Sequence, residues 1–245
     1  MIFRLVVLIG SLLALSFTSP TLKAEHRLPS RTIVYPKAKP PLKNSKDAIP
    51  LIILDAGHGG NDEGAKVSSL IEKKITLSTT LKVKRYLERL GYRVLLTRSR
   101  DIFISLQKRT FLANKYKGAI FVSIHYNSAK NKEAHGVEVF YCDGAESNRM
   151  KHSKKLAQHV LFHLIRETGA RSRGIKGGNL FVIRETKMPS ILVEAGFITN
   201  PEEGDLLLET AYLEKIAKGI AEGVDLYFQK EGNRPRRELN ARPAA

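Results

Sequence analysis

Between residues 51 and 228 the chain alternates short apolar runs with longer stretches in which apolar residues recur every three or four positions. The runs predict strands over 51–54, 92–97, 119–124, 136–142, 180–183 and 191–194. The recurring pattern predicts helices over 72–90, 105–117, 146–167 and 211–228. The first two stop at Gly91 and Gly118, a residue type that closes helices well. The strands show continuous apolar runs rather than polar alternation, which suits burial on both faces. The predicted fold class is α/β: a single domain built on a mostly parallel, mixed twisted sheet flanked by helices.

The flanks read differently. Arg4 precedes an almost unbroken apolar run over 5–17, and Leu22-Lys23-Ala24 follows a polar, Pro-containing stretch. That order predicts a secretory signal peptide over 1–24. The run is shorter than the roughly 20 residues a membrane span needs, so no stable membrane anchor is expected after cleavage. Residues 25–50 hold Pro29, Pro36, Pro40, Pro41 and Pro50 with six Lys/Arg, and predict a basic Pro-rich linker. Residues 229–245, with Arg234, Arg236, Arg237 and Arg242, predict a disordered basic tail. The folded domain is therefore expected over 51–228.

Charge and cysteine narrow the partners. Lys+Arg number 41 against 24 Asp+Glu, a formal net charge of +17. Residues 1–24 contain Arg4 and Lys23 and no acid, so their removal leaves +15. Such a surface attracts polyanions at long range. No nucleic-acid-binding motif accompanies the charge, so no nucleic-acid partner is expected, and anionic envelope polymers remain. Cys142 is the single cysteine. It excludes an intramolecular disulfide and a cysteine-based metal site, and reads as a small buried hydrophobe.

Candidate chemistry gathers where predicted strands end, the usual position of sites in such sheets. His58 follows the first strand in Asp55-Ala-Gly-His58-Gly-Gly60, and His125 follows another in Val122-Ser-Ile-His125-Tyr-Asn127. Either histidine alone is more often a polar loop residue. Glu72 opens the helix over 72–90, and its spacings to Ile75, Val83 and Leu90 put it on the core side. A carboxylate pointing inward needs a partner, although a lone Glu at a helix start is also favoured by the helix dipole. Glu194 ends the apolar run Ser190-Ile-Leu-Val-Glu194-Ala-Gly196, a place for a base or for an ordinary strand-end charge. Two histidines and one carboxylate, with a position left open, suit a catalytic zinc.

The chain resembles the zinc-dependent N-acetylmuramoyl-L-alanine amidases of the cell-separation type, the Amidase_3 family, from about residue 51 to 228. The resemblance runs in order through Leu54-Asp-Ala-Gly-His58-Gly-Gly60, Glu72-Lys73, Leu96-Thr-Arg98 with Asp101, Arg109 and Ala113-Asn114. It continues through Phe121-Val-Ser-Ile-His125, Asn127, Gly136-Val-Glu-Val-Phe140 and Pro189-Ser-Ile-Leu-Val-Glu194-Ala-Gly-Phe197-Ile-Thr-Asn200. It implies one zinc ion per chain held by His58, Glu72 and His125, with Glu194 as the catalytic glutamate. It implies peptidoglycan as the substrate, cut between N-acetylmuramic acid and L-alanine during wall remodelling or daughter-cell separation. Arg98, Arg109 and Asn114 match the same pattern and read as structural. Asn127 is a candidate to orient substrate or support the metal ligands. A monomeric exported enzyme is expected, with the periplasm favoured because wall-binding repeats are missing and the cell wall or exterior as the alternative.

Two other functions remain open in the sequence. Ser105-Leu-Gln-Lys108 spells a Ser-x-x-Lys pair, in which Lys108 lies one helical turn after Ser105 as in serine-type peptidases. Ser105 also suits a helix N-cap. An inactive wall-binding adaptor on the same fold is the second. His125 and Glu194 lie 69 residues apart. The predicted strands and helix fill that interval and leave no segment for an inserted helix over the cleft, so an open cleft is expected.

Overall fold

The structure, a computed structural model, describes residues 49–143 and 147–232. In chain order the elements are β1 (Leu51–Ala56), β2 (Lys66–Val67), β3 (Leu70–Ile71), α1 (Glu72–Arg89), β4 (Arg93–Leu96), α2 (Leu106–Ala113) and β5 (Ala119–Asn127). Then come β6 (Val137–Tyr141), α3 (Asn148–Thr168), β7 (Ser172–Gly177), α4 (Phe181–Glu185), β8 (Ser190–Phe197), α5 (Pro201–Leu208) and α6 (Thr210–Lys230). β2 and β3 pair as a small hairpin; the other six strands form one sheet in the order β4-β1-β5-β8-β6-β7. Every neighbouring pair in that sheet is parallel except β6 with β8. This is the single-domain α/β fold with a mostly parallel, mixed sheet that the hydrophobic pattern predicts.

Side chains alternate between the two faces along each strand. Ile52, Leu54, Ile120, Val122, Ile124, Val137, Val139, Ile191 and Val193 face α1, α3 and α6 in the larger core cluster. Ile53, Phe121 and Leu192 face the opposite way, under Ala113 of α2 and Val182 and Ile183 of α4. These two helices are only eight and five residues long. On this thinly covered face, strand register sets His125 beside Glu194 and Glu194 beside Glu138, on β5, β8 and β6. The asymmetry of cover leaves that row of polar side chains within reach of solvent.

Four local features depart from the sequence reading. The strand expected over 180–183 is instead the short helix α4, and the edge strand is β7. A four-residue apolar run does not separate a strand from one buried helical turn. β7 reads Ser-Arg-Gly-Ile-Lys-Gly and earns its place through backbone pairing with β6 rather than through an apolar pattern. The β2–β3 hairpin and α5 have no counterpart in the predicted elements. α5 did carry a signal: Asn200 caps it by accepting from the Glu203 N–H, and Pro201 takes its first turn. α3 starts at Asn148, capped by Ser147; Glu146 lies outside the described residues. α6 runs to Lys230, so Gln229 and Lys230 belong to the helix rather than to the tail. The signal-peptide segment 1–24, the linker as far as 48 and the tail from 233 also lie outside the described residues. Among the described residues, no helix is long and apolar enough to cross a membrane.

Candidate metal centre and active site

β1 and β5 run side by side, so the segments leaving their C-terminal ends meet. His58 arrives on the first, His125 on the second, and the N-terminus of α1 brings Glu72 between them. Glu72 Oε1 lies 3.1 Å from His58 Nε2 and 3.0 Å from His125 Nδ1. Glu72 accepts two backbone bonds as well, from the Ala65 N–H at 2.8 Å on Oε2 and from the Tyr126 N–H at 3.2 Å on Oε1. One ligand atom from each of the three residues lies within 4.8 Å of the others, a grouping able to hold a metal ion. Glu72 is 6% exposed, His125 19% and His58 24%, so the group is buried on its carboxylate side and open on its histidine side.

Backbone shape makes this convergence possible. A Cβ on Gly57 would meet the His125 ring at 2.3 Å. Gly64 has φ +66°, and a Cβ there would lie 2.5 Å from Glu72 Oε2 and 2.6 Å from His58 Cδ2. Only glycine leaves room for the rings at both points. His58 itself has φ +60°, a left-handed conformation unusual for a non-glycine residue.

That strained turn is clamped from below by two buried arginines. Arg109 donates from Nη2 to the His58 carbonyl at 2.7 Å and from Nη1 to the Ala56 carbonyl at 2.6 Å. Arg98 donates from Nη2 to the Gly57 carbonyl at 2.6 Å and from Nε to the Ala56 carbonyl at 2.9 Å. Asp55 balances Arg109 across 2.7 Å and accepts from Thr97 and Ser123. Burial acts to raise the Asp55 carboxyl, but Arg109 and Thr97 hold it below its ordinary value. Lys73 and Asp101 secure the far side of the turn through the Gly60 carbonyl and N–H. Arg98 and Arg109 are therefore structural, as the sequence implies, and what they hold is the histidine turn.

Electrostatics favour a cation at the centre. Burial works to raise the Glu72 carboxyl, yet its bonds to His125 and His58 hold it well below the usual carboxylate range. Burial works to lower His58, but Glu72 and Asp62 together raise it. His58 Nδ1 lies 2.8 Å from Asp62 Oδ1. With Nδ1–H donating to Asp62, Nε2 is left to face Glu72, the arrangement by which an outer carboxylate orients a metal-binding imidazole. Asp62 is a site residue that the sequence reading missed. Its position four residues after His58 is the one signal for it.

Glu194 stands next to His125 in register on β8. Its Oε2 is buried and has no hydrogen-bond partner. Burial first, then the charges of Glu72 and Glu138, push its carboxyl well above the ordinary value. Asn127 does not join the His58–Glu72–His125 group through any hydrogen bond. Its Nδ2 donates to Glu138 Oε1 at 2.8 Å and its Oδ1 accepts from the Ser128 N–H.

Ser105 and Lys108 do not form a nucleophile–base pair through their side chains. Ser105 Oγ accepts the backbone N–H of Lys108 at 3.3 Å as the N-cap of α2, and the Lys108 ammonium lies 5.4 Å from the centre of the Phe111 ring. Ser105 does line a cavity of about 360 Å³ that also reaches His58 and His125. As an N-cap, its replacement by alanine is expected to lower stability by about 1 kcal/mol while leaving hydrolysis within about twofold. Thermal unfolding beside a turnover assay checks this; a collapse of turnover with unchanged metal content would revive the serine-peptidase reading.

Known proteins share this arrangement of elements. The family model described as N-acetylmuramoyl-L-alanine amidase, Amidase_3, matches residues 52–225. The N-acetylmuramoyl-L-alanine amidase LytC of Bacillus subtilis is 35% identical over 178 residues, covering 73% of this chain and 35% of LytC. The catalytic domain of CwlV, an N-acetylmuramoyl-L-alanine amidase from Bacillus (Paenibacillus) polymyxa var. colistinus, is 36% identical with a TM-score of 0.68, covering 74% of this chain and 99% of that domain. The amidase AmiC2 of Nostoc punctiforme is 35% identical with a TM-score of 0.68, covering 74% and 97%. A histidine–glutamate–histidine centre at the C-terminal ends of β1 and β5, on a fold matched across nearly the whole described sheet, places the chain in the N-acetylmuramoyl-L-alanine amidase family of peptidoglycan hydrolases.

Proposed function

We propose that the chain is a zinc-dependent N-acetylmuramoyl-L-alanine amidase, exported to act on peptidoglycan during wall remodelling or daughter-cell separation. The observation that carries the reading is the position of Glu194: a half-buried carboxylate with a buried, unpartnered oxygen, in register beside His125. The donor set fits zinc. Two imidazole nitrogens and a carboxylate, with room for a further ligand, are the ligands of a catalytic zinc, whereas oxygen-only sets suit calcium and magnesium. For ligands about 2.0–2.1 Å from a tetrahedral ion, neighbouring ligand atoms sit about 3.3 Å apart, close to the 3.0 and 3.1 Å separations around Glu72 Oε1.

Zinc bound there supplies Lewis-acid polarisation of the amide carbonyl and acidification of a water molecule. The chain's own residues do the rest. His58, Glu72 and His125 hold the ion, and Asp62 keeps Nε2 of His58 turned toward it. The Glu194 carboxylate takes the proton of the attacking water and hands a proton to the leaving amine nitrogen. The turn from Ala56 to Gly60 fixes where the histidine stands through Arg98 and Arg109.

Between His125 and Glu194 the described chain consists of β6, α3, β7 and the five-residue α4, with no further helix to lie across the centre. The enzyme is therefore expected to act without an activating partner. Mass spectrometry of products released from purified peptidoglycan tests both points. The expected products are intact glycan strands and peptides with a new amino terminus on L-alanine, formed by the protein alone, lost with a chelator and restored by zinc. Cleavage within the glycan or within the peptide would reject the amidase reading. Silence alone but activity with a partner would reject the open cleft.

A further inference from the structure

Beyond Glu194, the row of polar side chains continues. Antiparallel register sets Glu138 of β6 directly opposite Glu194, where side chains share a face with Cβ atoms about 4.5–5.5 Å apart. Glu138 is 4% exposed. Its Oε1 accepts from Asn127, and its Oε2 accepts from Arg173 Nε at 2.9 Å and from Lys176 Nζ at 2.6 Å. A buried carboxylate is balanced by one cation; here it has two. Both cations lie on side chains that stay partly exposed, at 30% and 40%.

Arg173 is also held in a fixed pose. Its guanidinium lies 4.8 Å from the centre of the Phe197 ring, and Nη1 reaches the His135 carbonyl at 3.4 Å. Among the described residues Nη2 donates to no acceptor. A guanidinium pinned at Nε and Nη1 keeps one terminal nitrogen, Nη2, to donate a charge-assisted hydrogen bond to a carboxylate. Asn127, a candidate from the sequence to orient substrate or support the metal ligands, donates to Glu138 and helps hold it.

Position says what Nη2 meets. In the proposed hydrolysis the acyl carbonyl lies at the metal group and the leaving nitrogen at Glu194. The departing peptide then extends past Glu194, across β6 toward β7. Adjacent strands are about 4.8 Å apart and successive peptide residues about 3.8 Å apart. A group carried by the second residue of the peptide therefore comes level with Glu138 of β6, on which the Arg173 and Lys176 side chains converge. A γ-linked glutamate at that place offers a free α-carboxylate.

We propose that Arg173 and Lys176, positioned by Glu138, are specificity-determining residues that bind a free carboxylate on the second residue of the leaving peptide. This rests on the amidase reading, and the test separates the two. Full-length zinc-loaded enzyme is assayed on N-acetylmuramoyl-L-alanyl-D-glutamate with its γ-carboxyl blocked as a methylamide, which leaves only the α-carboxylate free on the second residue, and on the matched α-amide with the same γ-methylamide; calorimetry measures binding of the two corresponding L-alanyl dipeptides. The acid is expected to show a KM and a Kd about 10-fold or more below those of the amide, the range set by charge-assisted hydrogen bonds. Arg173→Gln should raise both constants for the acid by about 10- to 100-fold and so shrink the ratio of acid to amide by a similar factor. Lys176→Gln should do the same more weakly, and Arg173→Lys should restore part of the preference. Lys176→Gln also serves if Arg173→Gln fails to fold, which thermal unfolding reports. Equal treatment of acid and amide by the unaltered enzyme, or equal loss on both in the variants, overturns the proposal. Preferential binding of the acid dipeptide without hydrolysis of either substrate would instead reject the amidase reading and keep the carboxylate site.

Discussion

Replacing His125 by alanine is expected to remove both bound zinc and measurable hydrolysis. His125 Nδ1 is one of two nitrogens flanking Glu72 Oε1, so its loss leaves one imidazole and one carboxylate, too few to hold a catalytic zinc tightly. The fold should survive, because Glu72 keeps the backbone bonds from Ala65 and Tyr126 and the interaction with His58. His58→Ala should behave alike. Metal analysis after dialysis, beside turnover on peptidoglycan, checks the pair. Full zinc occupancy in the His125→Ala protein would reject the ligand assignment. The retained ligands also predict pH dependence. Zinc competes with a proton at His58, whose affinity for protons is raised, so zinc affinity should rise as pH increases through that histidine's titration.

Glu194→Gln is expected to separate chemistry from metal binding. The side chain keeps its shape and is not one of the three grouped ligands. Zinc content should therefore stay normal while turnover falls by about 10²–10⁴-fold, the usual worth of general acid–base catalysis. Stability should hold or rise. Glu194 is half-buried, its buried Oε2 has no hydrogen bond to lose, and Glu72 and Glu138 repel its charge; an amide escapes that repulsion. A residue kept in so unfavourable a setting is a mark of function rather than of packing. The same setting gives the unaltered enzyme an acidic limb: the base form of Glu194 is gained as pH rises through a carboxyl value pushed up by burial and by two neighbouring carboxylates, with the bound cation acting the opposite way. That limb should be missing in the glutamine variant. A near-normal rate would reject the role.

The four principal candidates were legible because each sits at a boundary that hydrophobic pattern alone locates. His58 and His125 follow apolar runs, Glu72 opens a helix on its core side, and Glu194 ends the apolar run Ile191–Val193 within β8. Such boundaries lie at the sheet's C-terminal edge in any parallel α/β arrangement. Ser105 was legible in two ways at once, and its oxygen caps α2. The elements that pattern missed are those stabilised by something other than their own apolar residues: β7 by backbone pairing at an edge, and the β2–β3 hairpin by two residues on each side of a turn. Four apolar residues, 180–183, were too few to distinguish the strand expected there from helix α4.

Local order along the chain thus determined the class of fold, the order of its central strands and helices, and which side chains arrive at strand ends. Tertiary structure alone decided that α2 and α4 leave one face of the sheet thinly covered, and that His125, Glu194 and Glu138 form one row on that face. It decided that Asp62 stands behind His58, that Asn127 turns to Glu138, and that two cations share one buried carboxylate. The physical reason is that burial and periodicity are carried by neighbours within about one helical turn or two strand positions, whereas the bonds of Glu138 to Arg173 and Lys176 join residues 35 and 38 positions apart, and that of Glu72 to His125 residues 53 apart, and these exist only once the fold has placed them side by side.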